Sequence, residues 1–286
     1  MLLENRQQEQ DPILLFSKSD IVIYIRIIYK NGNFDNRKSW RKRPFMTDIY
    51  EELKRKIFRI SEEGKLLGEP VRVRARVLST EEAIGNPEAD DFPLQKGKEK
   101  LMQAEFLGAA GQAFTDQYGD FEGVLEDVIQ MELINNFRRA IFVSTINAVL
   151  RHLKKIENTV HCRDKEPAEC ASELPPYILG KFGNVKTALV GFQPRMVEAL
   201  SAQFPLRVLD LDKDNIGKEK FGVIIEGPEQ TNAVLDWADL LAVTGTTLVN
   251  GTIGSFLRGV PCLFYGTTIA GAAHLMGWER FCARSH

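Results

Sequence analysis

With only four cysteines and four histidines in 286 residues, the chain has too few thiols for the disulfide framework of a small secreted domain. It also lacks a long hydrophobic run. The most apolar early stretch, IVIYIRIIY at 21–29, is interrupted by Arg26 and falls far short of the roughly 20 residues that a membrane-spanning helix needs. No small-residue cleavage site follows it, and the basic run NRKSWRKR at 36–43 lies on the wrong side for a signal peptide. Neither sign of charge dominates: 37 Lys and Arg against 39 Asp and Glu leave a net charge of −2. Neither nucleic acid nor a membrane surface is therefore an expected partner. A reducing cytoplasm is the expected compartment, with the thiols free for metals or chemistry.

Catalytic signatures are missing too. There is no G-x-S-x-G elbow, no P-loop and no H-E-x-x-H, and Ser255 follows Gly254 without a strained strand–turn context. No nucleophile–base pair stands out, so the residues leave catalysis open. The turn GFQPRM, from Gly191 to Met196, has one glycine where a dinucleotide fingerprint wants three. Phe192 and Pro194 would also keep a pyrophosphate from the helix amides. Asp210 and Asp212 stand about 20 residues on, where a ribose-binding acid belongs, yet an acid at that strand end is common without that role. NAD is not expected.

What is present divides the chain into four stretches: a polar, then β-like, then basic extension at 1–45, an α+β region at 46–157, a linker at 158–184, and an α/β region at 185–286. We expect the native protein to begin at Met46; a basic arm that binds acidic surfaces is the rival reading of the first 45 residues. MTDIYEELKRKIFRI from Met46 is helical, with Ile49, Leu53, Ile57 and Ile60 on one face. VRVRARVL at 71–78 alternates like a half-exposed strand. Residues 80–99 read as a loop, and 97–123 as a short helix among glycine turns. Two helices are expected over 121–153, broken near Asn135–Asn136, the second a buried core helix. Pro167, Pro175, Pro176, Gly180 and Gly183 give 158–184 its linker composition.

From residue 185 the period changes. Short apolar runs alternate with helical or turn segments, which predicts an α/β fold with a Rossmann-like, doubly wound parallel sheet. Ligands bind such sheets beyond the carboxyl ends of the strands. The residues there are Gly191, Asp210, Gly245-Thr246-Thr247 with Asn250, and Gly266-Thr267-Thr268. The repeated Gly-Thr-Thr suggests a shared geometry for a polar or anionic ligand, although Thr as a plain helix cap accounts for it equally well.

The remaining chemistry is soft. HCRDKEPAEC at 161–170 holds His161, Cys162 and Cys170, and the chain ends in CARSH, adding Cys282 and His286. Thiolate and imidazole together suit a soft metal ion such as zinc, iron or a heavier metal. The Cys162–Cys170 spacing is wider than that of a zinc ribbon, and Cys282 with His286 forms a chelate only if the tail is helical. Arg163 would balance thiolate charge or bind a carboxylate. The bland alternative is linker thiols beside a solvated charge run. Cys262 reads as a buried small hydrophobe and His152 as a helix-end residue.

At ALVGFQPRMVEAL, LDLDKDNIG, ADLLAVTGTTLVNGTI, YGTTIAGAA and RFCARSH the chain resembles the DUF364 family, which is associated with heavy-metal chelation. FRRAIFVSTINAVLRHL resembles the family's buried helix, whereas HCRDKEPAEC does not map onto its general pattern. The resemblance implies an enolase N-terminal-like domain joined to a Rossmann-like domain, with the site at their junction. The expectation is binding of a soft metal ion, or of a small molecule containing one, at that junction, with a homo-oligomer allowed. The alternatives are a metal-independent enzyme acting on a small anionic or nucleotide-like ligand at the strand ends, and a partner-binding module using the basic strand at 71–78.

Overall fold

The computed structural model describes residues 46–74 and 100–286. The readings for 1–45, for the end of the strand beyond Arg74 and for the 80–99 loop lie outside the described residues. Among the described residues no helix is long and apolar enough to cross a membrane.

Helix α1 (Met46–Glu63) buries Ile49, Leu53 and Ile57, while Ile60 is only partly covered. Strand β1 (Pro70–Arg74) alternates as its sequence predicts, with Val71 and Val73 inward and Arg72 and Arg74 exposed. Where a short helix was expected, the chain instead forms strands β2 (Lys100–Phe106), β3 (Ala109–Thr115) and β4 (Phe121–Val124). The deciding feature is a two-residue turn, Leu107-Gly108, with φ of 46° and 82° between paired Phe106 and Ala109. Positive φ at both central residues matches the twist of an antiparallel hairpin. These strands make a four-stranded antiparallel sheet in the order β3-β2-β1-β4.

Helix α2 (Leu125–Gln130) and helix α3 (Asn136–His152) follow, broken where expected, because the Asn135 side chain caps α3 by accepting from the Arg138 amide at 2.9 Å. Eleven consecutive residues of α3, Ala140–Leu150, are buried. A helix buried all round has a neighbour on every side, and α3 does: one face lies on the small antiparallel sheet and the other on the second half of the chain. The strand–helix approach is close enough that a Cβ on Gly111 would lie 2.3 Å from the Ala148 amide nitrogen. Only glycine fits there.

The segment read as linker contains helix α4 (Glu166–Phe182). Three prolines disguised it. Pro167 falls in the first turn, which needs no amide donor, whereas Pro175 and Pro176 remove donors inside the helix. The compensation is burial: Cys170, Leu174 and Ile178, four apart, face the parallel sheet with Ala171.

The sheet comprises β5 (Thr187–Val190), β6 (Leu206–Leu209), the short β7 (Glu219–Lys220), β8 (Val223–Glu226), β9 (Leu240–Thr244), β10 (Cys262–Tyr265) and β11 (Glu279–Phe281). Its order is β11-β10-β9-β5-β6-β8-β7, parallel throughout except at the β7 edge. Setting β7 aside, the chain runs β5-β6-β8 in one direction and β9-β10-β11 in the other, the doubly wound order whose switch point lies between β5 and β9. Alternate side chains supply its two faces. Leu189, Ala242 and Leu263 pack with α4 and with α5 (Pro194–Ser201). Ala188, Val190, Val243 and Phe264 join α1 and α3 in one core that spans both sheets, along with α6 (Thr231–Trp237), α7 (Thr246–Val249) and α8 (Ala270–Met276).

Asn147 fastens this junction. Fully buried on α3, its Nδ2 donates to the carbonyls of Gln112, Thr267 and Thr268 at 2.9–3.2 Å, and its Oδ1 accepts from the Gly271 amide at 2.6 Å. Replacing Asn147 by Ala strands these backbone groups and should lower the unfolding free energy by about 1–3 kcal/mol. Gly111→Ala should cost a similar amount, about 1–3 kcal/mol, through overpacking. Denaturant melts of both variants measure this; unchanged midpoints would remove Asn147 from its role at the junction.

Candidate functional site

Beyond the carboxyl ends of the parallel strands lies a cavity of about 770 Å³. One wall carries Gly191, Asp210, Gly245, Thr246, Thr247, Asn250, Gly266, Thr267 and Thr268, all the ligand-facing residues expected from the sequence except Arg163. The opposite wall comes from the small sheet and α3 through Phe114, Thr115, Asp116 and Asn136. Sequence reasoning missed this second wall, because its members come from the other half of the chain and carry no local motif. His161, Cys162, Cys170 and Cys282 also line the cavity.

Several wall residues are already engaged. Asp210 accepts from the amides of Phe192 and Asp212, both at 2.6 Å, and burial raises its carboxyl pKa above the usual range. It fastens the end of β5 to the end of β6. Gly191 sits at φ 93°, and a Cβ there would lie 2.7 Å from Thr244 Cγ2, so the tight turn after β5 depends on glycine. Gln193 caps α5 through its side-chain oxygen and Pro194 begins the helix, which closes that helix end to a phosphate.

The two Gly-Thr-Thr triplets do not share one geometry. Gly245 is helical at φ −60° and Gly266 left-handed at φ 91°, and neither α7 nor α8 is capped by a threonine side chain. Thr247 donates its hydroxyl to the Thr244 carbonyl at 2.7 Å, and the Thr246 and Thr244 hydroxyls lie 3.1 Å apart. Thr268 accepts from the Phe114 amide at 3.1 Å, so one of the expected ligand hydroxyls instead joins the two halves. Thr267 is fully buried and its hydroxyl has no hydrogen-bond partner among the described residues.

The thiol wall is assembled by backbone pairing. β3 is an edge strand, and residues 159–161 cover it: the Gln112 amide donates to the Thr159 carbonyl at 3.0 Å, and the His161 amide to Gln112 Oε1 at 2.7 Å. The next residue along, Val160, exchanges both of its backbone hydrogen bonds with His286, at 2.8 and 2.9 Å. Two segments more than 100 residues apart in sequence thus meet at the cavity edge.

Cys162 and Cys170 are buried, and desolvation raises both thiol pKa values, further raised by the neighbouring cysteines. The amides of Ala283 and Arg284 partly offset the rise at Cys170. Cys282 is half-buried and accepts from the Ser285 hydroxyl at 2.9 Å. His161 Nδ1 is sealed from solvent and has no hydrogen-bond partner among the described residues, and burial pushes the imidazole pKa down to about 4, leaving a neutral ring at pH 7.

Two expected ligands go elsewhere. His286 is exposed, outside the cavity lining, with Nε2 3.0 Å from Glu166 Oε2. The tail turns instead of forming a helix, so Cys282 and His286 do not share a helical face. Arg163 is also exposed and outside the lining. Cys262 is half-buried with its thiol directed at the Phe256 and Val260 carbonyls, away from this wall. Among the described residues, no three His, Cys, Asp or Glu side chains close around a common point as a bare ion requires.

The lowered His161 pKa fixes a pH dependence for the metal-free protein. Between pH 4 and 6.5 the unfolded chain binds a proton that the folded one refuses, so stability is fully present above pH 6.5 and falls as the pH drops toward 4. The loss is on the order of 3 kcal/mol at most. His161→Phe should flatten this part of the stability–pH curve, and an unchanged curve would contradict the burial argument.

Comparison with known proteins gives one family. Residues 176–262 match the model of DUF364, described as "Putative heavy-metal chelation". No curated protein matches the chain. A protein of unknown function from the DUF364 family of Pyrococcus horikoshii is similar in structure at 15% identity and a TM-score of 0.47, over 77% of this chain and 79% of that one. Another DUF364 protein of unknown function, from Desulfitobacterium hafniense, is similar at 12% identity and a TM-score of 0.43, over 62% and 72%. The family match runs from the second half of α4 to the start of β10, less than half of the chain, and over that stretch it is the family that the sequence resembles.

Proposed function

We propose that the protein binds a soft metal ion held within a small molecule, in the cavity between its two sheets. One observation carries the reading: Cys162, Cys170, Cys282 and His161 line the same cavity as the carboxyl ends of the parallel strands. A volume of about 770 Å³ suits a metabolite-sized ligand and far exceeds one ion. Because no three His, Cys, Asp or Glu side chains among the described residues close around a bare ion, the small molecule would supply part of the coordination shell and the thiols the rest.

The donor chemistry fits a soft metal. Thiolate sulfur and a neutral imidazole nitrogen are the ligands such ions prefer. High thiol pKa values describe the metal-free state, and binding would displace those protons. Thr246 and Asn250, on the strand-end wall, would meet the polar part of the ligand. The competing reading, acid–base catalysis without metal through Asp210, is weakened by that carboxylate's commitment to two backbone amides.

The test uses full-length protein incubated with Cd(II), either alone or as its cysteine complex, then passed through a desalting column. About one equivalent of cadmium should remain bound, with the complex retained better than the bare ion. The triple variant Cys162→Ser, Cys170→Ser, Cys282→Ser should weaken binding at least 10–100-fold, while Cys262→Ser leaves it unchanged. Equal retention by the triple variant would refute the proposal.

A further inference from the structure

The C-terminal segment lies along α4 in a regular register. Glu279 accepts from Tyr177 and pairs with Lys181 at 2.5 Å, and the Phe281 ring packs on Tyr177 with centroids 5.1 Å apart. One turn further toward the start of α4, Arg284 pairs with Glu173 and lies 3.8 Å from Glu169, and His286 meets Glu166 at 3.0 Å. As the tail advances from 279 to 286, its partners step back from 181 to 166, so the two run antiparallel. Along that run the Ala283 and Arg284 amides, the two that follow Cys282, reach the Cys170 sulfur on α4, which brings Cys282 beside Cys170. Both thiols line the cavity. Each surface ion pair contributes little alone, but together they hold the two backbones in fixed alignment.

We propose that Cys170 and Cys282 form a redox-active pair that closes to a disulfide, covalently fastening the C-terminal tail to α4. Cys282, half-buried and hydrogen-bonded by Ser285, is the thiol a small oxidant reaches first; Cys170 is buried behind it. With hydrogen peroxide as oxidant, the Cys282 thiolate attacks one peroxide oxygen, giving a sulfenic acid and releasing the other oxygen as water. The Cys170 thiol then displaces the sulfenic oxygen as a second water, forming the S–S bond. Two thiols lose two electrons and two protons, and one peroxide becomes two waters. The bridge removes two of the three thiols from the cavity wall, so an oxidised chain would present one sulfur there. The reaction needs no metal and does not rest on the metal reading.

The experiment takes chelator-stripped, full-length protein and treats it with a small excess of hydrogen peroxide. Ellman titration in denaturant should fall from four thiols to two, and the intact mass should drop by about 2 Da. Peptide mapping should join the Cys170 and Cys282 peptides, and dithiothreitol should reverse the change. Cys170→Ala and Cys282→Ala should each abolish the bridge while Cys262→Ser preserves it; using both variants guards against one failing to fold. Four titratable thiols after treatment, a link through Cys162, or conversion of Cys282 to sulfinic acid without a bridge would each overturn the proposal. Because metal is absent throughout, failure here leaves the cadmium experiment untouched.

Discussion

The Asn147 amide sits where two distant pieces of the chain meet: the middle of β3, and the segment from the turn after β10 into the first turn of α8. A buried amide without partners is costly, and this one has a partner for each function. It holds α3 in one orientation between the sheets, and Gly111 lets the helix come close enough for the bonds to form. The cavity follows from that closure. Its second wall, Phe114 to Asp116, is the continuation of the strand that Asn147 grips.

Two further clamps from the first half reach α7, the short helix that follows β9. Tyr50 donates to the Leu248 carbonyl, and Arg139 to the Val249 carbonyl at 2.6 Å. Burial holds the Tyr50 hydroxyl protonated, with its pKa pushed up to about 12, so it remains a donor at any physiological pH. Arg139 also bonds Asn136, which donates to Asp116 at 2.6 Å. The short helix carrying Thr246 and Thr247 is thereby linked through side chains to the opposite cavity wall. The site belongs to both halves and to neither alone.

The α/β half was legible because its strands are buried on both faces and read as continuous apolar runs; so were the strand ends, since such sheets bind ligands there. The first half was harder. KLMQAEF and AAGQAFT are rich in helix-favouring residues, and the Leu107-Gly108 turn has none of the usual Asn-Gly signal, so tertiary pairing overrode local propensity. α4 was hidden by its prolines although Cys170, Leu174 and Ile178 keep helical spacing. His286 was placed in the ligand set from a helical spacing that the turned tail does not provide. The convergence of 161–170 with the C-terminus has no local signature, since it depends on Val160 pairing with His286 across the edge of β3.

Position is what the account stakes most on. Anomalous diffraction at the cadmium edge, from crystals of the full-length protein soaked with a cadmium–cysteine complex, reads it directly. The account predicts a dominant peak inside the cavity, about 2.3–2.6 Å from the sulfur of Cys162, Cys170 or Cys282, with ligand density reaching toward Thr246 and Asn250. Dominant peaks at surface carboxylates or at Cys262, with the cavity empty, would contradict it.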